Sequence, residues 1–278
     1  MKRWLALILS ITLCWVAFGG GIARAYELPG NLAGIWQVRE VHVNTALGRT
    51  LEYGLNDPRL MWRLFKFENN RVTDDAYDFK DDCDVTSLKT THLNFRDLMF
   101  ASIGGYGFPP ASDASPMRDY KLPVDAGASV TAISLICSDG LWQGDLGVLY
   151  KDAKFIPVNG AWIALTPDGT MYLRWRDETI LMLVKVRPVD ITPSFDCDSA
   201  KKAAEVAICH SAELSGLDRS VAEAFSQALK KIRFVGGNER QLGEGQRSWL
   251  KQRNACNADE RCLREAMKHR IDELIEQQ

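Results

Sequence analysis

The hydrophobic pattern of this chain changes period once, between Pro188 and Pro193, and no single fold class accommodates both sides of the change. Before it, apolar residues alternate or form short runs. Ile35, Val41 and Val43 stand among polar residues, and Leu60–Phe67 alternates through Trp62, Leu64 and Phe65. Val130–Cys137, Trp142–Tyr150 and Ala161–Leu165 are short apolar runs of strand length. Thr166-Pro167-Asp168-Gly169-Thr170 is a turn that leads into Met171–Arg176, and a polar break at Asp177-Glu178 separates that segment from Thr179–Arg187. Two adjacent antiparallel strands are expected there. Short strands joined by polar turns predict an antiparallel β sandwich or small barrel over residues 31–188. Gly104–Pro110, with its glycines and prolines, reads as a long loop.

After Pro193 the apolar spacing becomes three and four. Ser215-Gly216-Leu217-Asp218 has the form of a capping box. It precedes a stripe of Leu217, Val221, Ala224, Phe225, Ala228, Leu229 and Ile232. Gly236-Gly237-Asn238 ends that helix and caps the next, which carries Leu242, Gln246, Trp249 and Leu250 on one side. A last helix presents Leu263, Met267, Ile271 and Leu274, and a shorter one over Ser199–Cys209 precedes all three. The expected fold class is therefore α+β in two domains: the β domain, then a small helical domain over residues 194–278. Four short helices make a small core, which disulfides commonly supplement.

Residues 1–25 supply the compartment. Met1-Lys2-Arg3, an apolar run from Trp4 to Phe18, and Ala23-Arg24-Ala25 have the three parts of a secretory signal peptide cleaved after Ala25. The run is shorter than the roughly 20 residues of a membrane span, so no span is expected after cleavage and the protein is expected to be periplasmic or secreted. Lys2, Arg3 and Arg24 leave with the signal, so 34 basic and 36 acidic side chains become 31 and 36. A mildly acidic chain lacks the basic stripe of a nucleic-acid binder.

Export also decides how the cysteines are read. Cys14 leaves with the signal, and Cys83, Cys137, Cys197, Cys209, Cys256 and Cys262 form an even set in an oxidising compartment. Along one continuous helix Cys256 and Cys262 would lie about 9 Å apart, beyond the roughly 7 Å that a bridge spans. A turn between them is therefore required if they pair. Cys197–Cys209 would fold the first helix back on its lead-in, leaving Cys83–Cys137 for the β domain. No Cys-x-x-Cys or His-Glu-x-x-His motif occurs, and neither a metal site nor a cofactor is expected.

Catalytic signatures are missing as well. There is no Gly-x-Ser-x-Gly and no phosphate loop, and His42, His92, His210 and His269 are scattered. A non-enzymatic role is expected. The densest polar feature is the stretch with Asp74, Asp75, Asp78, Asp81, Asp82 and Asp84. It has three readings: a solvated loop tied down at Cys83, a surface that steers a cationic partner, or a calcium loop, whose spacing it misses. Trp249 falls with Leu242 and Gln246, which favours core packing over an interface role. Arg247 is a candidate partner for Asp218.

Several blocks in the helical part carry a resemblance. Pro193-Ser194-Phe195-Asp196-Cys197, Ala207-Ile208-Cys209, Leu217-Asp218-Arg219 and Gln246-Arg247-Ser248-Trp249-Leu250-Lys251-Gln252-Arg253-Asn254-Ala255-Cys256, followed by Cys262-Leu263, resemble the LprI-type lysozyme inhibitor domain. The resemblance covers roughly residues 194–275, with Phe225 near where such domains often carry Tyr. It implies an exported helical domain stapled by two bridges, with Asp196, Asp218, Gln246, Arg247, Trp249, Leu250 and Arg253 as framework positions. It implies lysozyme inhibition for some members and brings no inhibitory residue with it. In the β domain, Gly34-Ile35-Trp36 is similar to the Gly-x-Trp of the first strand in lipocalin-like barrels; the plainer reading is a Trp closing one end of a small β core. The expected function is an envelope binding protein whose partner is a cationic lysozyme. The alternative is a small-ligand or lipid carrier, which needs a continuous apolar pocket inside the β domain.

Overall fold

The computed structural model describes residues 27–46, 51–77, 81–107, 109–149, 151 and 154–277; the signal segment and Asp78 lie outside them. Nine strands come first: β1 Gly34–His42, β2 Leu64–Glu68, β3 Arg71–Asp74, β4 Cys83–Asn94, β5 Ser129–Cys137, β6 Gly140–Leu141, β7 Trp162–Leu165, β8 Thr170–Trp175 and β9 Thr179–Val186. Two helices fall inside the strand order, α1 Phe95–Ser102 and α2 Pro116–Asp119. Four follow it: α3 Ala203–His210, α4 Ala212–Phe234, α5 Glu239–Ala255 and α6 Glu260–Glu276. This is an α+β two-domain arrangement.

The choice between sandwich and barrel falls to the barrel. Every pairing is antiparallel, in the order β4-β3-β2-β1-β9-β8-β7-β5, and β4 also pairs with β5. That pairing runs from Val85↔Cys137 to Asn94↔Ser129 and closes eight strands into a ring, with β6 as a short flap on β5. Closure removes the exposed edges that an open sheet would present.

Alternation sends Trp36, Phe65, Leu135, Leu173, Trp175 and Leu181 into one buried cluster inside the ring. The Phe65 ring meets Trp175 edge-on at 5.1 Å, and Trp142 lies 6.2 Å from the same indole. An eight-stranded barrel is just wide enough for side chains to fill it, and here they do. A register shift between Val38 and Glu40 lets Val38 and Val41, three residues apart, both be fully buried. Trp36 donates its indole N–H to the Leu32 carbonyl at 2.8 Å, tying the chain's entry to the barrel.

A second core lies on the outer wall. Tyr172 and Trp162 receive Phe95 of α1 at 5.2 and 6.1 Å, and Trp162 donates to the Ser102 hydroxyl at 2.7 Å. Asn94 caps α1 by accepting from the Asp97 amide at 2.8 Å.

Several local expectations need correction. Trp142–Tyr150 contains no strand among its described residues. Gln143 and Gly147 take positive φ there, and the run folds as turns that press Trp142 on Trp175. In Leu60–Phe67 only the part from Leu64 is strand, because the Asp57 carboxylate accepts from the Gly54 and Arg59 amides and holds the preceding residues in turns. The capping box is misplaced by one turn. Ser211 caps α4, accepting from the Leu214 amide, whereas Ser215 lies inside the helix and donates to the Ile208 carbonyl at 2.8 Å.

Three bridges are present. Cys83–Cys137 joins β4 to β5, Cys197–Cys209 ties a single 3-10 turn at Cys197–Ser199 to the end of α3, and Cys256–Cys262 spans the turn between α5 and α6. Their Cα atoms lie 5.2, 5.9 and 5.6 Å apart.

Candidate functional site

The helical domain is organised around one buried ion pair. Arg253 donates to Asp218 at 2.9 Å with both side chains about 95 % shielded from solvent (4 % and 5 % exposed). Asp218 also accepts from the amide and hydroxyl of Ser194 at 2.8 and 2.5 Å, so the lead-in segment is pinned to α4. Burial pulls the Arg253 guanidinium below its usual range, against the opposing pull of Asp218. Arg253, not Arg247, is therefore the partner of Asp218. One turn after Trp249 on α5, Arg253 shares its inward face, whereas Arg247 is exposed. Trp249 is buried and donates to the Ala266 carbonyl of α6 at 3.2 Å, Leu250 packs against the same core, and Gln246 accepts from Arg270 at 3.0 Å. Asp196 caps the turn at Cys197, accepting from the Asp198 amide at 3.0 Å.

Of the acidic segment, Asp82 and Asp84 are exposed beside the bridged Cys83, whereas Asp74, Asp75 and Asp81 are not the solvated side chains that a charged loop would present. Asp74 is buried and accepts from the Ala76 and Asp81 amides at 2.8 and 3.0 Å. Desolvation pushes its carboxyl up to about 7, in spite of those donors. Asp75 accepts from the Leu64 amide and sits 3.8 Å from Arg63; burial raises its pKa too. Asp81 takes Arg176 at 3.0 Å and the Gln143 amide group at 2.7 Å. Asp82 stays exposed, in an ion pair with Arg71 at 2.8 Å. Among the described residues no cluster of His, Cys, Asp and Glu could hold a metal ion.

Asp74 turns inward with Val72 by the alternation of β3, and Asp75, through Arg63, reaches the seam between barrel and helices. Arg63, 1 % exposed, donates to the Ser220 hydroxyl at 3.1 Å, and that hydroxyl donates to the Met61 carbonyl at 2.8 Å. Gly216 of α4 abuts the Trp62 carbonyl; a Cβ there would come within 2.8 Å of it. Trp62 lies between the guanidinium groups of Arg39 and Arg219, 4.8 and 5.0 Å from its ring. The Tyr77 hydroxyl donates to the Lys268 carbonyl of α6 at 2.8 Å, and Gln227 reaches the Asn56 carbonyl at 2.8 Å. Partners more than 150 positions apart leave no local signal, so sequence reasoning missed this seam.

Past Gln227, the last of these contacts along α4, the helix runs about two turns further into the α4–α5 turn. Phe234 and Val235 stand 89 % and 61 % exposed there. Beside them an open groove of about 490 Å³ is lined by Ile232, Asn238, Leu242, Gly245 and Arg270 among others.

These features define a two-domain protein in which a disulfide-closed helical unit is fastened to a filled β-barrel and keeps one end free. Residues 197–274, which include both helical-domain bridges and the Asp218–Arg253 pair, match the model of the family described as Lysozyme inhibitor LprI. No curated protein and no solved structure gives a significant match to the chain.

Proposed function

We propose that the chain is an exported, non-catalytic protein that binds and inhibits a lysozyme-type muramidase, with residues 1–25 removed after Ala25 and the mature protein periplasmic or secreted. Residues 31–188 form its β domain and residues 194–278 its inhibitor domain. The observation that carries the reading is the family match over residues 197–274. A binding module needs a rigid scaffold with an exposed contact face, and two bridges plus a buried ion pair supply that rigidity. The acidic balance left after signal removal, 31 basic against 36 acidic groups, steers a basic lysozyme toward the molecule. Within the acidic segment Asp82 and Asp84 are the exposed contributors, both beside Arg71, whereas Asp74 accepts from the Ala76 and Asp81 amides and Asp75 from the Leu64 amide.

The carrier alternative needs an apolar cavity inside the barrel, and Phe65, Trp175, Leu135 and Leu173 fill that space.

Lysis of peptidoglycan suspensions by a basic lysozyme, followed with and without the mature protein, tests the reading. Inhibition that weakens between 50 and about 500 mM salt is the expected result, since exposed charges are screened over about 8–10 Å near physiological salt. No inhibition at concentrations far above micromolar overturns it.

A further inference from the structure

From Lys230 to Gln241 every residue except Ile232 is exposed, and the segment is nonetheless tightly built. Gly236, at φ +70°, closes α4; the Gly237 amide donates to the Ile232 carbonyl at 2.8 Å and the Val235 amide to the Lys231 carbonyl at 3.0 Å. Asn238 caps α5, accepting from the Gln241 amide at 3.1 Å. A turn held from both helices loses little entropy on binding. It nevertheless presents Phe234 and Val235 to water, where a helix–helix turn has no structural need of either side chain.

The charges around these two residues oppose those of the rest of the molecule. Within residues 230–241 Phe234 is accompanied by Lys230, Lys231, Arg233 and Arg240, against the single acid of that segment, Glu239, which pairs with Arg233 at 2.9 Å. A basic, apolar tip thus stands on an acidic body. A muramidase has the inverse pattern in its cleft: two carboxylates flank the scissile bond, within a site shaped for the apolar faces of sugar rings.

We propose that the α4–α5 tip enters the substrate cleft of the muramidase, with Phe234 and Val235 covering the sugar-binding floor and Lys230 and Lys231 facing the catalytic carboxylates. This rests on the inhibitor reading above and specifies the contact. The acidic body draws in a basic enzyme, and the tip is complementary to the acidic cleft within it.

The test uses the full mature chain and two variants, Phe234→Ala/Val235→Ser and Lys230→Glu/Lys231→Glu, in lysis assays with a basic lysozyme and in competition with tri-N-acetylchitotriose. All four side chains are exposed, so melting temperatures are expected to match wild type. The apolar double variant is expected to inhibit at least about 30-fold more weakly, the loss typical of an interface anchor, and the trisaccharide to compete with the wild-type protein. The charge variant discriminates by sign. If only long-range attraction mattered, added acid would strengthen binding to a basic enzyme, whereas loss of contact at the carboxylates weakens it, as expected here. Wild-type inhibition that persists within twofold in both variants, or that the trisaccharide does not touch, overturns the tip and leaves the inhibitor reading standing. Absence of wild-type inhibition overturns both. A tip that instead binds vesicles of anionic phospholipid in a Phe234-dependent way, with inhibition unchanged in the variants, also overturns the proposal.

Discussion

Arg253 is a cation with almost no access to water; Asp218 is its ion-pair partner at 2.9 Å, and the charge of Glu205 supports it from further off. Removing a single partner of a buried pair leaves the other charge uncompensated, at a cost of about 3–5 kcal/mol. Asp218→Ala also strips the acceptor from the Ser194 amide and hydroxyl. Urea denaturation of this variant is expected to show a loss in that range, and a loss under 1 kcal/mol would contradict the structural role. Asp74 makes a different prediction. Its folded-state pKa, about 7 against 3.8 for the free carboxyl, means the native state holds a proton that the unfolded chain has released. Its contribution is therefore fully present below about pH 4 and is lost as pH rises through about 7, on the order of 4 kcal/mol in all. Asp74→Asn keeps one carbonyl acceptor and cannot titrate. Unfolding free energies measured at pH 5 and pH 8 are expected to differ less in the variant than in wild type, and an unchanged difference would sink the assignment.

At the scale of elements, two glycines in helices carry opposite predictions. Ala is favoured over Gly in a helix interior by about 1 kcal/mol. At Gly243 of α5 a Cβ would meet only the end of Arg247 at 3.8 Å, so Gly243→Ala is expected to raise the melting temperature. At Gly216 the added carbon would strike the Trp62 carbonyl at 2.8 Å, so Gly216→Ala is expected to lower it despite the better propensity. Calorimetry on the pair checks both signs. The same two helices show where the sequence was legible. The α4–α5 junction at Gly236-Gly237-Asn238 can be read locally, because the C-terminal glycine and the capping asparagine both act within a turn. The three bridges follow from an even set of six cysteines and from their spacing. Within the barrel, β1 follows from apolar alternation, β5 and β7 from short apolar runs, and β8 and β9 from the turn and polar break that bound them, but β4 does not follow: its outward Thr, Ser and Lys residues give it a mostly polar reading, and its identity as a strand comes from nine register partners on β5. The acidic segment misled for a related reason. A run of aspartates reads as solvated until Arg63, Arg176 and the amides of Leu64 and Ala76, all supplied by the fold, are seen to meet it.

For the whole molecule, the seam decides whether barrel and helices unfold together. Arg63 reaches Ser220, Gly216 packs on the Trp62 carbonyl, Tyr77 binds α6 and Gln227 binds the Asn56 carbonyl. Detaching the helices would uncover a guanidinium that is 1 % exposed, with Asp75 at 3.8 Å as its ion-pair partner within the barrel. Burial holds that guanidinium below its usual range, so the polar groups on α4 help to offset its desolvation. The two domains are therefore expected to melt in one cooperative transition, with matching calorimetric and van't Hoff enthalpies. Two resolved transitions would show that the seam does not couple them. Ser220→Ala supplies the internal control. It removes the hydroxyl that both accepts from Arg63 and donates to the Met61 carbonyl, while leaving the cores of barrel and helices unchanged. Loss of satisfied buried hydrogen bonds costs about 1–3 kcal/mol. If coupling runs through this contact, the variant's transition broadens or splits; if it only shifts to lower temperature with its shape intact, the remaining contacts at Trp62, Tyr77 and Gln227 carry the coupling.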